Sequence, residues 1–358
     1  MNKKLLSIST ILILTVVLAG CALSADSDGT KKNGESDEPT SETASYEDTG
    51  FAMGTVVNQT IYSSNKNIAS KIIDILTETE NKWISWRVKD SEIAKINHNA
   101  QTGTPTEISD ETREYIASAL SIVKKSDGAF DPTIGKLTRL WDFDGEKNVI
   151  PDHEDIRSLL KSVDYANISL KGNEVEVKNQ TSIDLGAIGK GIGNDEIEKY
   201  LDSLDDVRGA LINTGGSSVL TYGSKDTDKP WKVAVLNPRD DSDYLGAISL
   251  DGTWHVSTSG DYEKYFEEDG KRYHHILDPY TGYPADKGLI SVTIVGKKGA
   301  TCDGLSTACF VLGKDKALKL LENYDAEAVF VDSDKNVYVT EGLAENFELL
   351  ADTDYKLK

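Results

Sequence analysis

Four stretches of the chain concentrate Gly, Asp, Thr and His, the residue types that carry group-transfer and metal chemistry. The first is Phe51-Ala52-Met53-Gly54-Thr55-Val56, and the second is Gly128-Ala129-Phe130-Asp131-Pro132-Thr133. The third is Ile183-Asp184-Leu185-Gly186-Ala187-Ile188-Gly189-Lys190-Gly191; the fourth is a pair spanning 273–284 and 301–308. The third segment is Gly-rich, follows a strand-like run and opens a helix-like one, an arrangement in which backbone N–H groups can hold phosphate. Its spacing does not match the dinucleotide pattern G-x-G-x-x-G. It is not a P-loop either, because Gly191 rather than Ser or Thr follows Lys190. Taken alone, it reads equally as a tight strand-to-helix turn.

Asp303 and Thr307 stand four apart at what reads as the start of a helix, so their side-chain oxygens share a face. A carboxylate and a hydroxyl so placed suit a hard cation such as Mg²⁺, with backbone carbonyls and phosphate oxygens completing the shell. The plainer alternative is that Asp303 caps the helix and Thr307 turns to a neighbouring loop. His274 and His275 are two of only five histidines. Beside a loop rich in Pro and Gly, a His serves either as a general base near neutral pH or as a strand residue with a satisfied N–H. The chain has no G-x-S-x-G elbow and no H-E-x-x-H, which argues against serine-hydrolase chemistry and a zincin site.

The elements that must position these residues are legible in the periodicity. Residues 55–62 alternate as a strand, and 67–84 place Ile68, Ile72, Ile75, Leu76 and Trp83 at helical spacing. Residues 109–125 repeat the helical pattern after a cap candidate at Ser109 and acids at Asp110 and Glu111. Short strands are expected at 167–170, 174–177 and 181–185, and a helix at 193–204. The C-terminal half reads as strands at 209–213, 231–236, 245–250, 255–258 and 289–295, helices at 303–312 and 315–324, and a hairpin of 328–331 with 337–340. Helices and strands do not alternate regularly, so the fold class is α+β rather than a doubly wound sheet.

Over 358 residues, 39 basic and 60 acidic side chains leave a formal charge of −21. That surplus excludes a nucleic-acid binder, which needs cations for the phosphates, and electrostatic docking on anionic lipid. It leaves a nucleotide substrate open on one condition: a pyrophosphate in an acidic protein needs a metal cation or a set of backbone N–H groups beside it.

The N-terminus begins with Asn2, Lys3 and Lys4 and continues uncharged from 5 to 19. That run falls short of the ~20 residues of a membrane-spanning helix and reads as a signal-peptide core. Leu18-Ala19-Gly20-Cys21 closes it in the manner of a bacterial lipobox, in which the chain is cut before the Cys and its sulfur carries diacylglycerol; a plain secretory cleavage site is the alternative. Residues 1–20 are therefore expected to be a lipoprotein leader, and 21–48 a lipidated Cys21 with a flexible acidic tether. The stretch 22–48 holds eight acidic residues against two lysines and almost no large apolar side chain. The folded domain is expected over 49–358. Cys302 and Cys309, seven apart in a helix, would lie ~10 Å apart along its axis, beyond the ~7 Å a disulfide tolerates, and are expected to be free and buried.

In this order, Met-Gly-Thr, Ala-Phe-Asp, Asp-Leu-Gly-x-Ile-x-Lys-Gly, His-Ile-x-Asp-Pro-x-Thr-Gly-x-Pro and Asp-x-x-x-Thr resemble the ApbE family, the FAD:protein FMN transferases. The resemblance runs from about Phe51 to about Leu350. It implies an enzyme that binds FAD with a divalent metal, usually Mg²⁺. Such an enzyme transfers the FMN half to a Thr or Ser hydroxyl of another protein and releases AMP. Acceptors carry a Ser/Asp-Gly-Ala/Ser-Thr/Ser-type motif and are exported or membrane-bound redox proteins. By the same resemblance, Met53, Trp86, Ala129, Phe130, Asp131, Asp184, Lys190 and Ile276 would contact FAD. The Ala187 carbonyl, Asp303 and Thr307 would ligate the metal, and His275 would take the proton of the acceptor hydroxyl. Trp86 stands where the family has an aromatic beside the flavin or adenine, with one residue more than usual before Asp90-Ser91-Glu92. Two other functions use the same residues: a metal-dependent FAD pyrophosphatase, with water as acceptor, and a non-catalytic FAD-binding lipoprotein. Lys298-Gly299-Ala300-Thr301 has a faint likeness to an acceptor motif, with Lys298 wrong for its first position.

Overall fold

The alternating run at 55–62 pairs with a strand that begins at Ser45, ahead of the boundary expected at 49: β1 (Ser45–Ala52) and β2 (Thr55–Tyr62) form an antiparallel hairpin. The structure is a computed structural model and describes residues 44–145, 148–225 and 229–358. The leader, Cys21 and the tether up to residue 43 lie outside the described residues. Met53 and Gly54 close the hairpin with φ of 51° and 71°, so both occupy the left-handed region that two-residue hairpin turns require. Met53 thus sits on a turn and not on a strand.

The periodicity over 67–84 is realised as α1 (Asn67–Glu78) continuing into a π-helical turn at Thr79–Ile84. Then come α2 (Glu92–Asn99), β3 (Thr106–Glu107) and α3 (Asp110–Lys125). The expected cap of α3 is present, with Ser109 Oγ accepting the Thr112 N–H at 3.3 Å. α4 (Gly135–Trp141), α5 (His153–Leu160), β4 (Ile168–Lys171) and β5 (Glu174–Val177) lead to the Gly-rich turn and α6 (Gly189–Asp202).

Strands dominate from there: β6 (Gly209–Thr214), β7 (Ser218–Gly223), β8 (Trp231–Asn237), β9 (Asp240–Leu250), β10 (Trp254–Gly260), β11 (Tyr265–Glu268), β12 (Lys271–His274) and β13 (Leu289–Gly296). α7 (Gly299–Leu312), α8 (Lys314–Leu321), β14 (Ala326–Asp332), β15 (Asn336–Val339), β16 (Phe347–Leu349) and β17 (Lys356–Leu357) complete the chain. The α+β class expected from the sequence is the class observed.

Nine strands form one sheet in the order β1-β2-β6-β7-β10-β13-β14-β15-β17, which follows the chain without reversal. Neighbours are antiparallel except β15 and β17. One face is covered by the small sheet β16-β9-β8 through Val219, Val233, Ile248, Val256, Val329 and Val331. The other is covered by helices, with Val292, Ile294, Ala328 and Phe330 packed against Leu305, Cys309 and Phe310 of α7. Because strand side chains alternate, Val256 of β10 faces the small sheet while His255, Ser257 and Ser259 face the helices. That puts a polar row in the middle of an apolar face, where each member needs a partner.

The expected strand at 181–185 does not form. Its polar backbone groups go elsewhere: the Asn97 side chain accepts the Ile183 N–H at 2.7 Å and donates to the Ile183 carbonyl at 2.8 Å. The Pro132 carbonyl accepts the Asp184 N–H at 2.7 Å. The segment is extended but tied by side chains and loops, with a single bridge from Ser182 to Ile134. Two helices also begin earlier than their apolar pattern suggests, α6 at Gly189 and α7 at Gly299, because each opens on a glycine followed by small or polar residues that carry no apolar periodicity. Cys302 and Cys309 are free and buried, as expected.

Those glycines let two helix backbones approach closely. A Cβ on Gly191 would lie 2.1 Å from the Gly299 carbonyl oxygen, and one on Gly299 would lie 2.3 Å from the Gly191 oxygen. The backbones of α6 and α7 touch at this crossing, and no side chain fits between them. Gly191→Ala should therefore destabilise the protein by about 1–3 kcal/mol or more through overpacking, although Ala is the better helix former. Gly189→Ala, whose added Cβ meets only the flexible end of Ile84 at 3.1 Å, should be neutral or stabilising. Thermal denaturation of the two variants checks this, and equal midpoints would show that the crossing has slack.

Candidate active site

α7 delivers Asp303 and Thr307 to the polar row of β10. Asp303 is not the cap of the helix; it lies in the second turn, 7% exposed. Its Oδ1 accepts the Ser257 hydroxyl at 2.6 Å and its Oδ2 accepts the Gly191 N–H at 2.6 Å. Thr307 is one turn further, half-buried, with its Oγ1 3.4 Å from Ser259 Oγ. Ser259 in turn shares a 2.8 Å hydrogen bond with Ser306. Burial pushes the Asp303 carboxyl up from its ordinary range, against the Ser257 hydroxyl and the Lys190 ammonium, which favour its ionised form. The donors gathered here are a carboxylate and hydroxyls, a hard, all-oxygen set that fits Mg²⁺ and does not fit a soft metal.

Lys190 is in the first turn of α6 beside Gly191, and its ammonium donates to the Ser217 hydroxyl. Ala187 is exposed in the 3₁₀ turn Gly186–Ile188 that precedes the helix. Asp184 stands just before this turn, with Oδ1 accepting the Gly186 N–H at 2.8 Å and Oδ2 the Trp86 indole N–H at 3.1 Å. The Trp86 ring carries the Arg87 guanidinium 4.2 Å and the Arg139 guanidinium 5.0 Å from its centroid. Arg139 also donates to Ser182 Oγ at 2.7 Å. Across the opening, Asp144 binds Arg87 at 2.6 Å and Lys264 at 2.5 Å. Burial opposes ionisation of Asp144, but these two cations hold it below the ordinary range. A strongly acidic protein therefore gathers Arg87, Arg139, Lys190 and Lys264 around one turn.

The tip of the β1–β2 hairpin reaches the same helix. A Cβ on Gly193 would meet Met53 Cε and Sδ at 3.3 Å, so the Met53 side chain lies on α6 where a glycine leaves room for it. Asp131 folds back on its own loop, accepting the Thr133 N–H at 2.8 Å and the Thr133 hydroxyl at 2.6 Å. Burial raises its carboxyl. Ala129 and Phe130 are 1% and 3% exposed and face the core. What these two can offer a ligand is backbone, not side chain. The Tyr280 hydroxyl donates to the Asp127 carbonyl, which ties this loop to the Asp278–Gly282 turn.

The two histidines separate cleanly. His274 is buried, its Nδ1 accepts the Ile276 N–H at 3.3 Å, and its Nε2 therefore carries the proton and donates to the Ala285 carbonyl at 2.9 Å. This is the satisfied strand histidine. His275 is partly buried. Its backbone N–H donates to the Lys264 carbonyl at 3.0 Å, and its ring Nδ1 has no partner. Burial, with Lys264, His274 and Lys190 nearby, pushes its imidazole down to about 3, so it is neutral at physiological pH. Ile276 is buried, and its carbonyl accepts the Ala285 N–H at 2.9 Å.

Sequence reasoning missed Ser257, Ser259, Ser217, Arg87, Arg139, Lys264 and the group Asp195, Glu198 and His255. A signal was present for β10: His255, Ser257 and Ser259 are three polar residues at period two, with Trp254 and Val256 on the other face. The cations gave none, because each comes from a different element.

The profile of the ApbE family matches residues 53–330. The chain is 32% identical over 319 residues to the FAD:protein FMN transferase of Haemophilus influenzae, covering 85% of this chain and 91% of that protein. It is 30% identical over 329 residues to the one of Treponema pallidum, with coverage of 85% and 89%. Among solved structures, the ApbE protein of Thermotoga maritima superposes with a TM-score of 0.77 at 36% identity, covering 85% of this chain and 99% of that one. The flavin transferase ApbE of Vibrio cholerae superposes with a TM-score of 0.76 at 26% identity, covering 85% and 99%. The ordered motifs, the fold and the matched span agree: the chain belongs to the ApbE family.

Proposed function

We propose that this protein is an Mg²⁺-dependent FAD:protein FMN transferase that acts outside the cytoplasm, anchored to the bacterial membrane by a lipid on Cys21. The observation that carries this reading is the convergence of Lys190, Asp303 and an unpartnered His275 beside one Gly-rich turn. Asp303 and Thr307, with the Ala187 carbonyl, would hold the metal. Bound there, Mg²⁺ supplies charge neutralisation at the pyrophosphate. Met53, Trp86, Asp131, Asp184, Lys190 and Ile276, with the backbone of Ala129 and Phe130, would hold FAD, the aromatic face of Trp86 meeting a ring and the cations of the opening meeting phosphate.

In the reaction, the hydroxyl oxygen of the acceptor Thr or Ser bonds to the phosphorus of the FMN half. The P–O bond to the bridging oxygen breaks, and AMP departs with the electron pair. The acceptor proton passes to His275. A neutral imidazole with a free nitrogen is the form able to accept it, and burial, with Lys264 and Lys190 nearby, keeps it in that form. Lys190 stands close enough to Asp303 to favour its carboxylate, and the glycines let backbone N–H groups approach the phosphates. The acceptor is an exported or membrane-bound protein with a Ser/Asp-Gly-Ala/Ser-Thr/Ser-type motif.

Incubating the purified protein with FAD, Mg²⁺ and an acceptor domain of that type should give an acceptor heavier by one FMN, read by mass spectrometry. Release of free FMN and AMP with no mass gain would instead identify a pyrophosphatase, and FAD binding without turnover a carrier. Asp303→Ala should abolish metal-dependent turnover, and unchanged turnover would remove the metal from this site. His275→Ala should lower kcat by about 10²–10⁴-fold. Protonation disables the base, so with His275 near 3 the acid limb of kcat/KM should lie well below pH 6. A limb centred near 6.5 would show a histidine of ordinary basicity.

A further inference from the structure

The helix that carries Asp303 has no cap of its own. Lys298 occupies the N-cap position of α7 and makes no side-chain capping bond. The first amides are met from another helix: Asp195 of α6 accepts the Gly299 N–H on Oδ1 at 2.7 Å and the Ala300 N–H on Oδ2 at 2.9 Å. A carboxylate at a helix N-terminus satisfies orphan donors and complements the dipole. Here it arrives from more than a hundred residues away in the chain. The segment Lys298-Gly299-Ala300-Thr301, with its faint likeness to an acceptor motif, is thereby the capped first turn of α7, and Gly299 is the residue the Gly191 backbone abuts.

Asp195 is itself held. Glu198, three residues on and therefore on the same face of α6, accepts from His255 Nε2 at 3.0 Å, and that nitrogen is 3.7 Å from Asp195 Oδ1. His255, the second residue of β10, is 1% exposed. The Lys298 ammonium is 3.8 Å from Glu198. This carboxylate–imidazole–carboxylate unit ties α6, β10 and the start of α7 together. Asp303 bonds the same three elements from inside, through the Gly191 N–H, Ser257 of β10 and its own helix. The two sets of bonds flank the glycine crossing, and each fixes the register of the other.

We infer that Asp195, supported by His255 and Glu198, is a positioning residue for the cation site: by capping α7 in trans it fixes Asp303 against the Gly-rich turn and so sets the affinity for the divalent ion. The inference rests on Asp303 being a cation ligand. The ligand-type atoms of Asp195, Glu198 and His255 lie within 4.8 Å of one another, which would also admit a cation at the triad itself. Against that, both Asp195 oxygens already meet backbone donors, and Glu198 already faces His255 and Lys298.

Mn²⁺ binding followed by EPR, without turnover, reads the affinity directly. Asp195→Asn replaces one acceptor oxygen with a donor that opposes a backbone N–H. It should weaken Mn²⁺ binding by about 10–100-fold, the usual effect of losing an outer partner of a metal ligand. The loss of turnover should be smaller at saturating than at limiting Mg²⁺, because the defect lies in ion affinity. Hydrogen exchange at Gly299 and Ala300 should rise while β13 remains protected. His255→Gln, which keeps a donor for Glu198, should retain Mn²⁺ affinity, whereas His255→Leu should lose it. Glu198→Gln, the mildest change, should shift Mn²⁺ affinity in the same direction. Faster exchange at 299–300 with unchanged Mn²⁺ affinity in Asp195→Asn would overturn the inference. So would a second Mn²⁺ equivalent in the wild type that His255→Leu removes. Asp303→Ala serves as the reference: if it leaves Mn²⁺ binding intact, the assignment of Asp303 as ligand fails, whatever Asp195 does.

Discussion

The site depends on bringing a buried carboxylate into contact with a backbone amide from another helix. Asp303 is almost fully enclosed, and an enclosed carboxylate is costly unless hydrogen bonds meet its oxygens. One of its donors is the Gly191 N–H, reachable only because α6 and α7 cross at glycines with their backbones in contact. Everything else follows from keeping that crossing closed. The sheet supplies a polar row on β10 for the same carboxylate, apolar packing of α7 on β13 and β14 fixes the depth of the helix, and the trans cap fixes its register.

Electrostatics then acts at two scales. The protein as a whole is strongly acidic, with a formal charge of −21. Around the Gly-rich turn, Arg87, Arg139, Lys190 and Lys264 converge from four separate segments and stand among Asp144, Asp184, Glu263 and Asp303. Asp144 holds two of them in place across the opening. The long-range field of so acidic a protein is screened by salt, whereas cations held among buried carboxylates are screened much less. Burial, with Lys264 and Lys190 nearby, also keeps the His275 imidazole neutral.

Much of the fold was legible because it is local. Alternation revealed β2, helical spacing revealed α1 and α3, and Ser109 announced the start of α3. The misreadings share one cause. The run 181–185 has strand composition, but Asn97 and Pro132 take its hydrogen bonds, and a side chain 86 residues away leaves no trace in local pattern. The starts of α6 and α7 were hidden by glycines, chosen for close approach and not for burial. Asp303 looked like a cap because it opens the apolar part of α7. The cap is Asp195, which the sequence places in an unrelated helix.

The sequence by itself determined the family, the α+β class, the ordered motif set and the free state of Cys302 and Cys309, since all of these depend on residue type and spacing along the chain. The tertiary structure decided which of two adjacent histidines has an unpartnered nitrogen. It also turned Ala129 and Phe130 inward, gave Asp303 its donors and capped α7 from α6. The reason is that these properties belong to pairs of groups far apart in sequence, Gly191 and Asp303 being separated by 112 positions. Burial and hydrogen bonding between such pairs exist only once the sheet has ordered the chain and the glycines have let two backbones meet.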